Sequence, residues 1–370
     1  MKALLIALFV CAALANDYIN IPVEVTVVAD GHYNAGYEYG KQTSKLMKDY
    51  FYNGNPTIMK SLDPFYNTPK GKEISEKIFE NQKNAYPEYM EEIEGMAVGS
   101  GIPSYLIKMF TLVEEFSYVM PKQLAYSYRD HCSDQIVNEH DFIVLAHNED
   151  GSGSMDFNNT VLVHMTIKEG DKIVSQFSSF SYIGQLPTAA YGWNKDIVLS
   201  MNYLHTDSFD IDGLSRSFVA RELLDATSIS EALRIISKKN YFVGHNYQLA
   251  PVNKGEKGTV INFEAAPFAR FGYYEATPAH PHFHANMYNV LICDDTYMES
   301  SVRRQNAAAK LPIPNDMKST MIVLGDESDP DWQIYNPTTL NTMVYNYIDN
   351  TIDILIGNPK NYNVWKSFHL

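Results

Sequence analysis

Apolar residues change their spacing near residue 132. Before this point one alternating, β-branched segment, Val23–Ala29, predicts a strand, and the apolar positions that follow recur at helical intervals. Pro87 suits the first position of a helix, and Gly99 and Gly101 end it. The predicted helices cover residues 34–52, 72–85, 87–98 and 102–116. The first third of the chain is therefore predicted to be mostly helical.

After residue 132 short apolar runs alternate with turn-like segments, which is typical of paired strands. The predicted strands are Asp141–Asn148, Thr160–Ile167, Lys172–Phe180, Asp196–Tyr203, Thr259–Ala265 and Asn289–Asp295. Ser228 and Glu231 form a capping-box pattern before one helix, and a second helix is predicted over 301–311. Strands paired as hairpins, followed by helices, favour an α+β fold over a doubly wound sheet. The change from helical to strand-like patterning near residue 132 is the only natural division of the chain.

The first fifteen residues resemble a signal peptide. Met1-Lys2 precedes an apolar run from Ala3 to Ala15 that ends in an A-x-A cleavage pattern. The run is shorter than the roughly 20 residues that a membrane-spanning helix needs, and no later stretch approaches that length. We therefore expect a secretory protein, secreted or lysosome-like, with no membrane span. In that route the sequon at Asn158 is a glycosylation site.

Composition excludes several classes of protein. A hydrophobic fraction of 45% with 20% charged residues is not that of a disordered chain. The formal net charge of −15 argues against a general nucleic-acid binder, which needs a basic surface. Three cysteines in 370 residues are too few for a disulfide scaffold.

Cysteine usage leaves one candidate nucleophile. Cys11 is removed with the signal peptide, so Cys132 and Cys293 remain, either as a disulfide or as separate thiols. Cys293 lies in the apolar segment NVLICDD, whereas Cys132 lies in the polar segment YRDHCSD. Polar surroundings favour the reactive thiolate, so Cys132 is the better candidate. A disulfide or an idle thiol is the alternative at this point.

The residues after Cys132 predict a hairpin. A strand over 132–137, a turn over 138–141 and a returning strand over 142–147 would bring Asp150 back toward Cys132, although 18 residues separate them. A carboxylate at that place can hold a positively charged amine.

The segment DHCSD followed by FIVLAHNED resembles the cysteine N-terminal-nucleophile hydrolases, in particular the peptidase C45 family of isopenicillin-N acyltransferase-like and β-alanyl-dopamine hydrolase-like proteins. The resemblance implies a four-layer αββα sandwich with two antiparallel sheets and a helical N-terminal segment. It also implies self-cleavage between His131 and Cys132, which divides the mature chain into residues 16–131 and 132–370. The implied activity is an amidohydrolase or acyltransferase that acts on a non-peptide amide through a thioester at Cys132.

The chemistry of such a nucleophile follows from its free amine. An unperturbed α-amine has a pKa of about 7.7–8.0, against about 10.4 for lysine, so it can take the thiol proton near neutral pH. No cofactor is required, and the expected partner is a small-molecule amide. This sequence departs from the family in having His131 where a glycine commonly precedes the cysteine.

Three further residues match the family less closely. Asn202 resembles the G-x-N segment and Asn286 the TNHF segment, although Met287 replaces the histidine; both would hold the oxyanion. Arg304 resembles the arginine of an S-x-x-R motif that begins at Ser301, where it would pair with Asp150; Arg303 is the alternative register. Each of these residues also fits an ordinary role, as a strand-end asparagine or a surface arginine.

Two other functions are compatible with the sequence. The missing glycine and the altered TNHF segment fit a catalytically inactive binding protein of the same fold. His280, His282 and His284 recur at strand period and would be the ligands of a zinc-dependent hydrolase, although Pro281 interrupts them. The sequence names neither the acyl group nor the amine of the substrate, nor an oligomeric state.

Overall fold

The structure is a computed structural model that describes residues 21–124, 132–151, 159–188, 190–237, 239–255, 258–278, 280–293 and 297–370. The predicted signal peptide, His131 and Asn158 lie outside the described residues. Within the described ranges, no helix combines the length and the apolar character needed to cross a membrane.

The strands form two sheets. The larger contains, in spatial order, β1 (Val23–Asp30), β4 (Thr160–Glu169), β5 (Lys172–Tyr182), β6 (Tyr191–Trp193), β7 (Ile197–Leu204), β8 (Gly244–Pro251), β9 (Ile261–Ala266) and β10 (Arg270–Glu275). The smaller contains β11 (His282–His284), β2 (Ser133–Glu139), β3 (Phe142–Asp150), β12 (Thr339–Asn346), β13 (Thr351–Leu355) and β14 (Val364–His369). Neighbouring strands are antiparallel, except that β1 pairs parallel with β4.

The helices fall into two groups, one on the outer face of each sheet. The larger group is α1 (His32–Asp49), α2 (Asp63–Tyr66), α3 (Pro69–Ala85), α4 (Pro87–Ser100), α5 (Ser104–Thr111), α6 (Val113–Val119), α7 (Arg216–Leu223) and α8 (Ile229–Ile236). The smaller is α9 (Glu299–Ala308) and α10 (Met317–Leu324). Two π-helical turns at Tyr50–Gly54 and Ile58–Leu62 and a 3-10 turn at Pro359–Asn361 complete the helical segments of the described chain.

Three apolar clusters separate four layers. The first lies between the larger helical group and the larger sheet, the second between the two sheets, and the third between the smaller sheet and α9 and α10. Leu162 belongs to the second cluster and its neighbour Val163 to the first, because successive side chains of a strand point to opposite faces. The order helix, sheet, sheet, helix confirms the predicted αββα sandwich.

The N-terminal segment is built into this core. β1 pairs with β4 along its whole length, from Val23 opposite Val161 to Asp30 opposite Lys168. Helices α1 and α4 cross so closely that a Cβ on Gly36 would lie 1.8 Å from the Glu92 carbonyl oxygen. Only glycine permits that approach. Residues before Cys132 therefore supply an edge strand as well as the predicted helices.

One predicted strand is wrong. Residues 289–293 form a loop, and the backbone N–H groups of Asn289, Val290 and Leu291 donate to the buried carboxylate of Glu264 at 2.8–2.9 Å. Ile292, which apolar patterning placed in the core, is 92% exposed. These backbone N–H groups, which in a strand would bond to a neighbouring strand, instead stabilise the buried charge of Glu264.

Candidate active site

Cys132 lies immediately before β2, at the open end of the β2–β3 hairpin. Ser133 is paired with Asn148 and Asp134 with His147, so antiparallel register puts Cys132 opposite Glu149. The Cys132 Sγ lies 3.3 Å from Glu149 Oε2 and donates a hydrogen bond to it. The hairpin thus brings the end of β3 beside the candidate nucleophile, and the side chain in contact with the sulfur is Glu149.

A row of hydrogen-bonded charges extends from this contact into the space between the sheets. Glu149 Oε2 is 2.9 Å from His147 Nε2, and His147 Nδ1 is 2.8 Å from Asp134 Oδ1. These side chains are at most 5% exposed. Tyr182 of the larger sheet donates to Glu149 Oε1, and Ser200 donates to Asp134 Oδ1 at 2.7 Å. The row therefore joins the two sheets at the depth of the nucleophile.

The protonation states in the row follow from burial and charge. Burial alone would lower the pKa of His147, but Asp134 and Glu149 raise it to about 10, so the imidazole is cationic at neutral pH. Burial acts to raise the pKa of Asp134, but His147, together with Ser200 and His284, lowers it overall. For Cys132, burial raises the pKa well above the usual range, and the charges of Glu149 and Asp150 raise it further. The thiol of the intact chain is protonated.

Asp150 lies on the other face of β3 from Glu149. Its Oδ2 accepts a hydrogen bond of 2.7 Å from Asn336, and its backbone hydrogen-bonds to the Cys132 thiol. Burial raises the pKa of the Asp150 carboxyl to about 6, against the opposing effects of Thr339, Arg304 and Asn336. The two neighbouring carboxyl groups therefore flank Cys132 from opposite faces of the strand.

Arg304, on α9, holds the main chain of Cys132. Its guanidinium is 1% exposed and donates to the Cys132 carbonyl oxygen, to Ser133 Oγ at 2.9 Å and to Asn286 Oδ1 at 2.8 Å. Arg303 points outward and binds Asp329. Of the two registers, the structure therefore places Arg304 in the site.

The expectation that Arg304 forms an ion pair with Asp150 is wrong: both residues are described by the structure, and each binds other partners. The donors of the guanidinium are taken by neutral acceptors along Cys132 and Asn286, while Asp150 Oδ2 is bonded to Asn336. Arg304 still acts on Asp150 through space, because its charge lowers the pKa of that carboxyl.

The two candidate oxyanion donors are placed differently. Asn286 Nδ2 donates one hydrogen bond among the described residues, to the Tyr203 carbonyl oxygen at 3.0 Å, and an amide nitrogen carries a second N–H. Asn202 Nδ2 donates to Asp134 and lies 3.1 Å from His284 Nδ1. An oxyanion contact from Asn202 would require one of these bonds to be given up, so Asn286 is the better placed donor.

The histidine zinc site is not assembled. β11 begins at His282, so His280 lies outside the strand and is exposed, whereas His284 is fully buried and contacts Asn202. The group of three potential metal-ligating side chains that the described residues bring together is Cys132, His147 and Glu149, with ligand atoms within 4.8 Å of one another. Hydrogen bonds to the Glu149 carboxylate account for this closeness.

No disulfide joins Cys132 to Cys293. Cys132 is also one of a few residues other than glycine in the described chain with a positive φ, at 45°. Side chains make this conformation costly, so it marks a backbone position that the surrounding structure enforces. The arrangement is a half-buried thiol beside polar groups on a constrained main chain, which is typical of a nucleophile rather than of a structural cysteine.

Asp134, His147 and Glu149 were not among the residues singled out from the sequence. Their signal lies in the same two motifs, CSD and HNED, at a spacing of two. Residues 132 and 134 share one face of β2, and 147 and 149 share the matching face of β3.

Comparisons with known proteins identify the family of the chain. The model of the family described as acyl-coenzyme A:6-aminopenicillanic acid acyl-transferase matches residues 137–361, and the chain belongs to this family. It is thus an enzyme of the amidohydrolase or acyltransferase kind. It is 22% identical over 378 residues to beta-alanyl-dopamine/carcinine hydrolase from Drosophila melanogaster, covering 91% of this chain and 93% of the relative.

Solved structures with some similarity include an acylase and a hydrolase. Penicillin V acylase from Agrobacterium tumefaciens has 14% sequence identity and a TM-score of 0.38, over 60% of this chain and 82% of that one. A mutant conjugated bile acid hydrolase from Clostridium perfringens has 12% identity and a TM-score of 0.31, over 65% of this chain and 92% of that one.

The charged row predicts a pH dependence of stability. The pKa of His147 is about 10 in the folded chain and about 6.5 when unfolded, so the folded state binds more protons between these values. We expect its contribution to the free energy of unfolding to be complete below pH 6.5 and lost as the pH rises through 10. Urea unfolding from pH 6 to pH 10 should show this decline in Cys132→Ala protein. The decline should be smaller in Cys132→Ala/His147→Gln; equal slopes would contradict the assignment.

Proposed function

We propose that the chain cuts its own backbone before Cys132 and then hydrolyses small amides with Cys132 as an N-terminal nucleophile. One observation carries the proposal. The Cys132 thiol is half-buried at the start of β2 with Glu149 against its sulfur, while its carbonyl oxygen accepts a hydrogen bond from the buried Arg304. The contact with Glu149 orients the sulfur and the contact with Arg304 fixes the main chain of Cys132, and nucleophilic attack requires such an orientation.

The backbone conformation of Cys132 supports self-cleavage. A φ of 45° at a residue with a side chain stores about 1–3 kcal/mol of strain. A residue at the start of a chain has no φ, because no peptide precedes it. Cutting the bond before Cys132 would release this strain and at the same time create the α-amine.

In the mature protein that amine would act as the base. It takes the thiol proton, the thiolate attacks the substrate carbonyl, and the amine then protonates the leaving amine. Asp150 supplies the nearby negative charge that an ammonium requires, and Asn286 offers an N–H to the oxyanion. Water resolves the resulting thioester and regenerates the thiol.

For the substrate, we propose a β-alanyl amide of a small amine. The support is the Drosophila relative, whose name gives β-alanyl-dopamine and carcinine as its substrates and whose length this chain nearly matches. A β-alanyl group carries an ammonium, which suits a site flanked by Glu149 and Asp150 in a chain of net charge −15. Water is the proposed acceptor, which makes the protein a hydrolase.

Cys132→Ala should abolish activity and leave a single intact chain, because both reactions need the sulfur. Denaturing gels and intact mass would show fragments divided before Cys132 in the wild type only. Release of dopamine from β-alanyl-dopamine would be measured beside acyl transfer from an acyl-coenzyme A to 6-aminopenicillanic acid. An active wild-type preparation consisting of uncut chain would contradict the maturation scheme, and Cys293→Ala is the matched control for loss of a thiol.

Asp150→Asn should slow self-cleavage, turnover or both, because the ammonium loses its counter-charge. We expect the activation free energy to rise by about 2 kcal/mol or more, roughly 30-fold in rate, because the buried ammonium would lose its charged partner. Asp141→Asn is the matched control, since it is an exposed aspartate at the turn of the same hairpin. Wild-type rates for both processes in Asp150→Asn would remove Asp150 from the site.

We further propose that the protein follows the secretory route. The signal-peptide pattern of residues 1–15 and the sequon at Asn158 support this. Expression in an animal cell should give a protein that begins after Ala15 and carries one glycan, which peptide N-glycosidase removes. Asn158→Gln should migrate like the deglycosylated protein. A chain that retains Met1 and shows no mobility shift would contradict the proposed route.

A further inference from the structure

We propose that Glu149 is the general base of the maturation reaction, the group that takes the proton from the Cys132 thiol in the uncut chain. This inference rests on the proposed self-cleavage and adds to it a residue with its own role. The carboxylate oxygen Glu149 Oε2 contacts the sulfur that must be deprotonated, at 3.3 Å.

The uncut chain needs such a group because its α-amine does not yet exist. Before cleavage the nitrogen of Cys132 is part of a peptide bond and has no basic lone pair. The thiol itself is kept protonated, since burial and the neighbouring carboxylates raise its pKa. Maturation therefore requires a proton acceptor that the mature enzyme does not require.

The other groups around the sulfur are poor acceptors. His147 is already a cation, because Asp134 and Glu149 raise its pKa to about 10. Arg304 is a cation bound to the carbonyl side of Cys132. Asp150 approaches the thiol with its backbone, while its carboxyl lies on the opposite face of β3 and accepts a bond from Asn336. Among the described side chains, the Glu149 carboxylate is the acceptor in contact.

Neighbouring groups fix this carboxylate in place. Tyr182 donates to Oε1, and His147 donates to Oε2 from an imidazolium that Asp134 holds on its other nitrogen. Glu149 is 4% exposed, so these bonds and the thiol define its position. The same bonds orient the oxygen Oε2 toward the sulfur.

The step balances without a further reactant except water. The thiol proton passes to Glu149 as the sulfur attacks the carbonyl carbon of the preceding peptide. When the C–N bond breaks, that proton passes to the departing nitrogen of Cys132, which becomes the α-amine. Water then hydrolyses the thioester and restores the thiol, leaving Glu149 as a carboxylate. From that point the amine provides the base.

The test compares substitutions at Glu149 in the full chain. Glu149→Gln keeps the length and a hydrogen-bond acceptor but not the basicity, so self-cleavage should slow about 100-fold, the lower end of what general base catalysis supplies. Glu149→Asp keeps the carboxylate at a longer distance and should cleave faster than Glu149→Gln. A merely steric role predicts the opposite order, because glutamine is the better steric match. Pulse–chase labelling with denaturing gels gives the rates.

Hydroxylamine identifies the step that fails. It cuts thioesters, so a chain arrested after sulfur attack would be cleaved by it, whereas a chain that lacks the base forms no thioester. Glu149→Gln precursor should resist hydroxylamine. Rapid cutting of this precursor by hydroxylamine would overturn the proposal, as would self-cleavage of Glu149→Gln at the wild-type rate.

Glu115→Gln is the matched control for loss of a buried carboxylate. Glu115 is 1% exposed and accepts from the backbone of Arg216, and burial raises its pKa to about 7, so a neutral side chain suits that place. Its variant should mature like the wild type. If the wild type itself is never cut, the proposed function fails. If the wild type and Glu149→Gln are cut equally fast, only the role of Glu149 fails. Unfolding curves measured in a Cys132→Ala background separate misfolding from a chemical defect.

Discussion

One buried cation between two buried carboxylates determines the arrangement of the site. Asp134, His147 and Glu149 lie in the apolar space between the sheets, where isolated charges are expensive. They are tolerated because each is paired and hydrogen-bonded, and removing one partner of such a set costs about 3–5 kcal/mol. Since β2 and β3 supply all three, the hairpin register and the charge pairing enforce each other. A slip of one residue would turn the charges to the opposite face of the smaller sheet.

The position of the nucleophile follows from the same register. Cys132 continues the face of β2 that carries Asp134, so its sulfur meets the residue that continues the face of His147, which is Glu149. The main chain of Cys132 is fixed independently, from the helical side, by Arg304. Side chain and main chain are thus held by different layers of the sandwich, and the thiol has little freedom relative to either sheet.

Much of the fold could be predicted from the sequence, because its signals are local. Alternation marked β1, Pro87 marked the start of α4, and Ser228 caps α8 as the capping pattern indicates. The strand expected at Asn289–Asp295 failed for a non-local reason. Its backbone donors are drawn to Glu264, which lies in a different part of the sequence. Apolar composition cannot report a contact of that kind.

The candidate site was predictable in its motifs and less so in its pairings. CSD and HNED contain the residues that meet. The sequence analysis predicted that Asp150 lies near the thiol, but the side chain on the same face as the thiol is that of its neighbour Glu149. The expected ion pair between Arg304 and Asp150 came from the resemblance to the S-x-x-R motif. In the structure the guanidinium instead meets carbonyl, hydroxyl and amide oxygens, which match its planar set of donors. Such choices depend on three-dimensional geometry that sequence spacing does not contain.

The parallel pairing of β1 with β4 determines what a cut before Cys132 would do to the molecule. Eight residues of β1 are hydrogen-bonded into the larger sheet, and the helices that follow bury their apolar faces on it. Severing one peptide bond removes neither the ladder nor the shared apolar interface. The two polypeptides would behave as a single folded particle, and their separation would require the larger sheet to lose its edge strand and the helices α1 to α6 from one face, where α7 and α8 would remain.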